Sequence, residues 1–406
     1  MSFLTKRKPS ALSKHIIYGL LIAATLLLAS CGDQPYGIFA EIEREADAED
    51  SAFFGANLRG MARVDRGGAE YYIVASGRPK WRPADISNAD ADDWSNADRP
   101  SGFRGSGDWM ISVVEVDTGT DLTTYGLFRD NDREKFAIFE WETGSGWAAD
   151  PLRTQADFEG SDPSISRLFS ANNELFASVR RSDSSSGSDY DIWHIDTGNG
   201  STTKLGTGTN KPFSDAAHDD TRYWFVSRNA VYYTDDLNLD SLTGAPDKIF
   251  DPGIDDSPPY DQRGIYFDNA NNNLYVSTGN SVYWVNIDDD DGTADADWEE
   301  LPDNRRSDDR FTRFARFGDH IFVGSDRPTS GSGGIYRIEL NGDGNPTELR
   351  RETGKPDGSF IYRSHVAEFY VPSGGSSLFA LVFSSGDDNP GLWRRDDNAD
   401  SDWSAE

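Results

Sequence analysis

The chain has 406 residues, of which 70 are aspartate or glutamate and 39 are lysine or arginine, so its formal net charge at pH 7 is −31. Proteins that bind nucleic acid need basic surfaces to neutralise phosphates, so this composition argues against nucleic acid as a partner. The high net charge favours a soluble monomer. With one cysteine, the chain cannot form an internal disulfide, and its length is sufficient for a hydrophobic core.

The N-terminal 30 residues have the pattern of an export signal. Four basic residues precede the apolar run IIYGLLIAATLLL (16–28), which is shorter than the roughly 20 residues of a membrane-spanning helix. The next residues, LASCG (28–32), resemble a bacterial lipobox, and this resemblance implies that Cys31 becomes the lipid-carrying N-terminus. A cysteine buried in a folded core is the alternative. We therefore predict a lipoprotein signal peptide at 1–30, a lipidated N-terminus and tether at 31–54, and a folded domain at 55–406.

A short apolar word recurs through that domain at intervals of about 50 residues, a period typical of propeller blades. The words are YIVAS, YGLF, LFASV, WFVS, LYVS, IFVG and LFALV, centred on Ile73, Leu127, Phe176, Phe225, Tyr275, Phe322 and Phe379. Each is followed, after a gap rich in glycine, serine, aspartate and proline, by a second word such as DIWHID or SVYWVN. These hairpins predict an all-β fold, a β-propeller of seven four-stranded blades. The longer first and last intervals leave six or eight blades as alternatives.

Four tryptophans close their units: Trp94, Trp147, Trp298 and Trp403. Their repeated place after the second word favours packing between neighbouring blades, and platforms for stacking sugars are the alternative.

The predicted loops between third and fourth strands include three acidic segments, namely ISNADADD (86–93), IDDDDGTADAD (287–297) and DDNADSD (396–402). Because these loops emerge together in a propeller, we expect one strongly acidic face.

The segment SDYDIWHIDTGNGSTTKLG (188–206) resembles the WD40-like repeat of TolB-type propellers, with an aspartate, a short β-word, an aspartate turn and a return strand. The other units follow this pattern only in outline. The resemblance implies a propeller fold, an exported setting and a binding role, and it carries no catalytic residue.

Motifs for catalysis and metal binding are weak. The histidines have no metal-ligand spacing, and the chain contains no His-Glu-x-x-His, no Gly-x-Ser-x-Gly, no phosphate-binding loop and no Asp-box. ELNGDGNPTELR (339–350) mimics the start of a calcium loop but ends in Arg350, where a bidentate glutamate is needed. We predict no catalytic residue, no metal and no cofactor, with calcium as the open alternative.

Arginines cluster at the predicted innermost strands, near one mouth of the channel. The predicted ligand-binding residues are Arg167, Arg263, Arg313, Arg316 and Arg363. Guanidinium groups gathered in this way can hold a carboxylate or phosphate bidentately. The alternative is that they pair with nearby acidic residues and lock the blades together.

Together these patterns predict a non-enzymatic binding or scaffolding module at the bacterial cell envelope, attached to the membrane through its lipid. We expect the outer membrane or cell surface rather than the cytoplasmic membrane, and an envelope protein or a glycan as the ligand. A propeller glycosidase or lactonase is the alternative, and a surface coat protein is a third possibility.

Overall fold

The structure is a computed structural model that describes most of the chain after residue 57. The described ranges are 58–85, 93–105, 109–117, 122–130, 135–160, 162–181, 189–207, 211–227, 230–240, 242–244, 263–277, 281–287, 298–302, 310–326, 334–352, 365–383, 391–396 and 403–405. The predicted signal peptide, Cys31 and the tether lie outside the described residues, as do most of the acidic loops.

The described residues form a β-propeller of seven antiparallel sheets, as predicted. Blade 1 comprises β1 (Met61–Arg66), β2 (Ala69–Val74), β3 (Lys80–Pro83) and β4 (Ser95–Asn96). Blade 2 comprises β5 (Trp109–Asp117), β6 (Leu122–Asp130), β7 (Lys135–Glu142), β8 (Gly146–Trp147) and β9 (Arg153–Thr154). Blade 3 comprises β10 (Ser164–Ala171), β11 (Glu174–Arg181), β12 (Asp189–Ile195) and β13 (Thr202–Thr207). Blade 4 comprises β14 (Phe213–His218), β15 (Tyr223–Ser227), β16 (Val231–Thr234) and β17 (Thr243–Gly244).

The remaining three blades repeat this order. Blade 5 comprises β18 (Ile265–Asp268), β19 (Asn273–Ser277), β20 (Val282–Asn286) and β21 (Glu299–Glu300). Blade 6 comprises β22 (Arg310–Phe317), β23 (His320–Asp326), β24 (Gly334–Leu340) and β25 (Pro346–Arg351). Blade 7 comprises β26 (His365–Tyr370), β27 (Leu378–Phe383), β28 (Gly391–Arg395) and β29 (Ser404–Ala405).

The repeated words found in the sequence are the second and third strands of the blades. Ile73 lies in β2, Phe176 in β11 and Phe379 in β27, and each of these side chains is fully buried. Second strands have a buried, mostly apolar segment because both faces of a blade are covered by neighbouring blades. Blade 2 differs from the prediction in one detail, since its outer edge is split into β8 and β9, which both pair with β7.

Seven hydrophobic clusters hold the blades together, one between each neighbouring pair. The seventh lies between blades 7 and 1 and contains Leu58, Val74, Phe379 and Leu381. There the Tyr72 ring contacts those of Phe379 and Tyr370, with centroids 5.1 Å and 6.1 Å away. The ring of blades is therefore closed.

Closure occurs without strand exchange among the described strands. Blade 1 is built from β1 to β4 and blade 7 from β26 to β29, so each terminal blade is contiguous in sequence. In propellers that exchange a strand, main-chain pairing between the two ends of the chain holds the seam. Here side-chain packing and polar contacts must hold it.

The four closing tryptophans all belong to clusters between neighbouring blades. Trp94 and Trp403 are buried, whereas Trp147 and Trp298 are half-buried against the same kind of cluster. The packing interpretation is confirmed, and the buried indoles of Trp94 and Trp403 cannot stack on a sugar. Within the described part of the chain, no helix has the length and apolar character needed to cross a bilayer.

We predict that Leu381→Ala lowers the free energy of unfolding by about 2–5 kcal/mol, because it removes a buried side chain from the seam between blades 7 and 1. The matched control is Leu239→Ala, since Leu239 is 58% exposed, and its effect should stay within about 0.5 kcal/mol. Urea unfolding followed by tryptophan fluorescence measures both. Equal effects of the two variants would contradict a closed, packed seam.

Candidate functional site

The first strand of each blade lines the channel, and several of these strands carry a β-bulge near their amino end. Register shifts occur between Met110 and Ser112, Ile165 and Arg167, Phe213 and Asp215, Phe311 and Phe314, and Val366 and Glu368. A bulge bends its strand and changes the direction of nearby side chains. The charged residues at these positions meet in the channel.

One ion pair spans the channel. Arg167 of β10 donates from Nη2 to Oε2 of Glu368 in β26 at 2.7 Å, and the two residues are 201 positions apart in the sequence. They belong to blades 3 and 7, which are as far apart as two blades of a seven-membered ring can be. The Arg167 side chain is 8% exposed and that of Glu368 is 17% exposed. This pair therefore ties opposite sides of the ring together in a site largely withdrawn from water.

A second ion pair links blades 4 and 6. Arg313 Nη1 lies 2.6 Å from Oδ1 of Asp215, and the same guanidinium donates to the Ser214 carbonyl. The other oxygen of Asp215 accepts a hydrogen bond of 3.2 Å from the Ile265 amide in blade 5. Asp215 thus joins three consecutive blades.

Burial shifts the pKa of Arg167 and that of Asp215 toward their neutral forms. It lowers the pKa of Arg167 to about 10, with the neighbouring charge of Arg313 as a second cause. At neutral pH Arg167 therefore still carries its proton. Burial also raises the pKa of the Asp215 carboxyl, although Arg313 acts in the opposite direction.

The structure separates the predicted arginines into two groups. Arg167, Arg263 and Arg313 lie toward the amino ends of the first strands, where Arg263 donates from Nη1 to the Phe311 carbonyl at 3.0 Å. Arg316 lies three residues further along β22 and pairs with Asp268, at the opposite end of the channel. Arg363, like Cys31, lies outside the described residues. The contacts of the described arginines have the pattern expected when arginines lock blades together.

The sequence interpretation missed the acidic partners. Asp215 and Glu368 were not singled out, because carboxylates are abundant in this chain while arginines stand out. A usable signal was present, since FSDAAH (213–218) and HVAEFY (365–370) each place one acid inside a largely apolar strand. A charge at such a position needs a buried partner.

A third contact joins blades 7 and 2, which lie on either side of blade 1. Tyr370 of blade 7 donates its hydroxyl proton to Oε1 of Glu115 in blade 2, and the Arg63 amide of blade 1 donates to the same oxygen. Burial raises the pKa of Glu115, and these two hydrogen bonds oppose the rise. Burial, followed by the charge of Glu115, raises the pKa of Tyr370 well above its ordinary range. This contact reinforces the seam between blades 7 and 1.

The loop that resembles the start of a calcium site is a hairpin turn between β24 and β25. The Asn341 side chain accepts hydrogen bonds from the amides of Asp343 and Asn345 at 2.9 Å and 3.0 Å, while Glu339 pairs with Arg337 at 2.7 Å. Asn341 and Glu339 are therefore occupied within the protein. No group of three or more histidine, cysteine or acidic residues in the described ranges is arranged to hold a metal ion. The segment 288–297 lies outside those ranges.

Comparisons with known proteins do not assign the chain to a family. No protein-family model matches it, and no curated protein matches it. Among solved structures, a chain of a mitotic checkpoint complex is 13% identical with a TM-score of 0.47, and the match covers 86% of this chain and 89% of that one. A chain from a structural and mechanistic analysis of two prolyl endopeptidases is 12% identical with a TM-score of 0.49, and the match covers 91% of this chain but 52% of that one. Neither likeness assigns an activity here.

We predict that the pair between Arg167 and Glu368 contributes far more to stability than an exposed pair. Arg167→Ala should lower the free energy of unfolding by about 3–5 kcal/mol, because it leaves a buried carboxylate without its partner. The matched control is the pair between Arg66 and Asp98, whose side chains are 46% and 64% exposed, where Arg66→Ala should cost less than about 1 kcal/mol. A double-mutant cycle for each pair, measured by urea unfolding, separates the coupling energies, and similar values for both would contradict the assignment.

We also predict a pH dependence that originates at Glu115. Because its pKa in the folded state is raised above the ordinary value of 4.5, the stability linked to its protonation is present at low pH and is lost as pH rises through the folded-state pKa. The free energy of unfolding of the wild type should therefore fall relative to that of Glu115→Gln as pH rises from about 4 to 7. Tyr370→Phe removes a hydrogen bond that lowers this pKa, so it should move the window to higher pH. A difference between wild type and Glu115→Gln that is independent of pH would refute the shift.

Proposed function

We propose that this chain is a binding and scaffolding module of the bacterial cell envelope, and that its working surface is the mouth of the channel at the amino ends of the first strands. A cluster of guanidinium groups at that mouth carries the proposal. Four innermost strands have an arginine at or just before their amino ends, namely Arg59, Arg167, Arg263 and Arg313, and the charges of Arg59 and Arg313 both act on Arg167.

Guanidinium groups gathered at one site of a strongly acidic protein favour an anionic group on the partner. A carboxylate or phosphate group at the mouth would reduce the repulsion between Arg167 and Arg313. The proposed ligand is therefore an envelope protein or glycan that presents such a group.

The same geometry favours binding over catalysis. A glycosidase needs two carboxyl groups that can act on the substrate as acid, base or nucleophile. The channel carboxylates Asp215 and Glu368 are held by arginines at 2.6 Å and 2.7 Å, so an oxygen of each carboxylate is already engaged in an ion pair. We therefore retain the propeller glycosidase or lactonase only as the second candidate function.

The membrane attachment is proposed from the lipobox-like residues around Cys31. Lipid on this cysteine would hold the propeller at the outer membrane or cell surface, and several acyl chains anchor more firmly than one. High net negative charge would keep the tethered body soluble and monomeric.

The test is capture of partners from crosslinked envelopes by the wild type and three variants, read by mass spectrometry. Cys31→Ala should release the protein into the soluble fraction. Arg263→Gln removes one charge at the channel mouth but keeps a donor for the Phe311 carbonyl, and it should reduce partner recovery several-fold. The control is Arg337→Gln, which alters an ion pair with Glu339 and Glu352 in blade 6 and should leave recovery unchanged.

Recovery of no reproducible partner by the wild type would contradict the binding function. Turnover of glycosides or lactones by the purified protein, abolished by Asp215→Asn, would support the enzymatic candidate instead. If the Cys31→Ala variant remained bound to the membrane, the lipid anchor would be refuted, but the binding function would not.

A further inference from the structure

A polar pocket lies at the end of the channel opposite the proposed working surface. It has a volume of about 240 Å³ and lies where β10, β14 and β18, the first strands of blades 3, 4 and 5, end. Arg167, Asp215 and Arg263 lie at or near the beginning of the same three strands. The polar residues of the pocket therefore lie toward the end of the channel opposite the arginine-rich mouth, whereas Ala216 and Ile265 of its apolar wall adjoin Asp215.

Two pocket residues adopt a backbone conformation that usually favours glycine. Asn172 and Asp220 have φ values of 45° and 71°, and both line the pocket from hairpin turns. Asparagine and aspartate tolerate this region better than other side chains, and their presence supplies an amide and a carboxylate where glycine would supply neither. The exposed Asn269 contributes a second amide from the turn after β18.

The remaining polar groups are hydrogen-bond donors. The Asp220 amide donates to Nδ1 of His218 at 3.1 Å, which places the proton of the neutral ring on Nε2. Burial lowers the pKa of His218, so this neutral form prevails at pH 7. Burial also raises the pKa of Tyr266 to about 12, so its phenol keeps its proton. Both side chains line the pocket.

The apolar part of the lining comes from Ala171, Ala216, Ile265 and Phe267. The residues that line the pocket include no lysine or arginine, so the lining does not favour an anion. This lining matches a ring that has hydroxyl groups at its edge and C–H groups on its face. The amides, the carboxylate and the neutral donors would bond to the hydroxyls, and the apolar wall would contact the C–H groups. The volume is below the roughly 300–1,000 Å³ of pockets for drug-sized ligands, which limits the occupant to about one such ring.

We propose that this pocket binds a single sugar unit of a neutral glycan, with Asn172, Asp220 and Asn269 bonding to its hydroxyls and Tyr266 and His218 donating to its oxygens. The inference goes beyond the proposed function, because it assigns a second site and a ligand without charge. Its failure would leave the anion-binding mouth untouched.

The experiment uses the full lipidated chain in lipid nanodiscs and saturation-transfer difference NMR. The probes are methyl α-glucoside, methyl β-galactoside and N-acetylglucosamine, with glucuronate and inorganic phosphate as anionic comparisons. We expect at least one neutral sugar to bind with a dissociation constant in the millimolar range, since a single ring offers few atoms for contact. That sugar should bind at least tenfold more weakly to Asp220→Asn and Asn269→Ala.

Asp220→Asn keeps a residue that tolerates the left-handed turn, so the variant should fold like the wild type, and its circular dichroism spectrum checks this. The matched control is Asp343→Asn in the exposed turn between β24 and β25, which should leave sugar binding unchanged. Binding of no neutral sugar at concentrations up to about 20 mM, roughly ten times the expected dissociation constant, would overturn the proposal. It would equally be overturned if the pocket variants and the control variant bound the sugar alike. A wild-type protein that binds the sugar but captures no partner would instead count against the arginine-rich mouth.

Discussion

Burial of both faces of every blade is the constraint on which this fold depends. The second strands have a buried, mostly apolar segment, so each blade needs a neighbour on each side, and only a closed ring provides this for the first and last blades. In the described chain the seam contains no exchanged strand. The Tyr72 ring against Phe379 provides the connection at the seam, and the hydrogen bond between Tyr370 and Glu115 reinforces it. The pair between Arg167 and Glu368 ties blade 7 to blade 3 across the channel.

This way of closing the ring explains why charge is buried in the channel. A buried ion pair contributes little net stability compared with apolar packing, but removing one partner is costly, so such pairs specify which groups must meet. Here they join blade 3 to blade 7 and blade 4 to blade 6. The bulges supply the geometry, because they turn side chains of the first strands toward the channel axis.

Most of the fold was predictable from the sequence, because apolar words, hairpin punctuation and their period are local signals. The seven words centred on residues such as Ile73 and Phe379 are the second strands in the structure. The split outer edge of blade 2 was not predictable, since β8 and β9 are each two residues long.

The site was predictable only in part. Arg167 and Arg313 stood out by type, whereas their partners lie about 200 and 100 positions away among many other acidic residues, and no local pattern identifies them.

The two ends of the channel differ in chemistry, with buried guanidinium groups at one and amides with neutral donors at the other, and both depend on the ring staying closed. Native-state hydrogen exchange of the unmodified protein tests that closure most directly. The account predicts that amides of β2 and β27, on either side of the seam, are protected to within about tenfold of those in β11, and that all three strands lose protection together in denaturant. Independent, much faster exchange of β2 and β27, as in an open array of repeats with fraying ends, would contradict it.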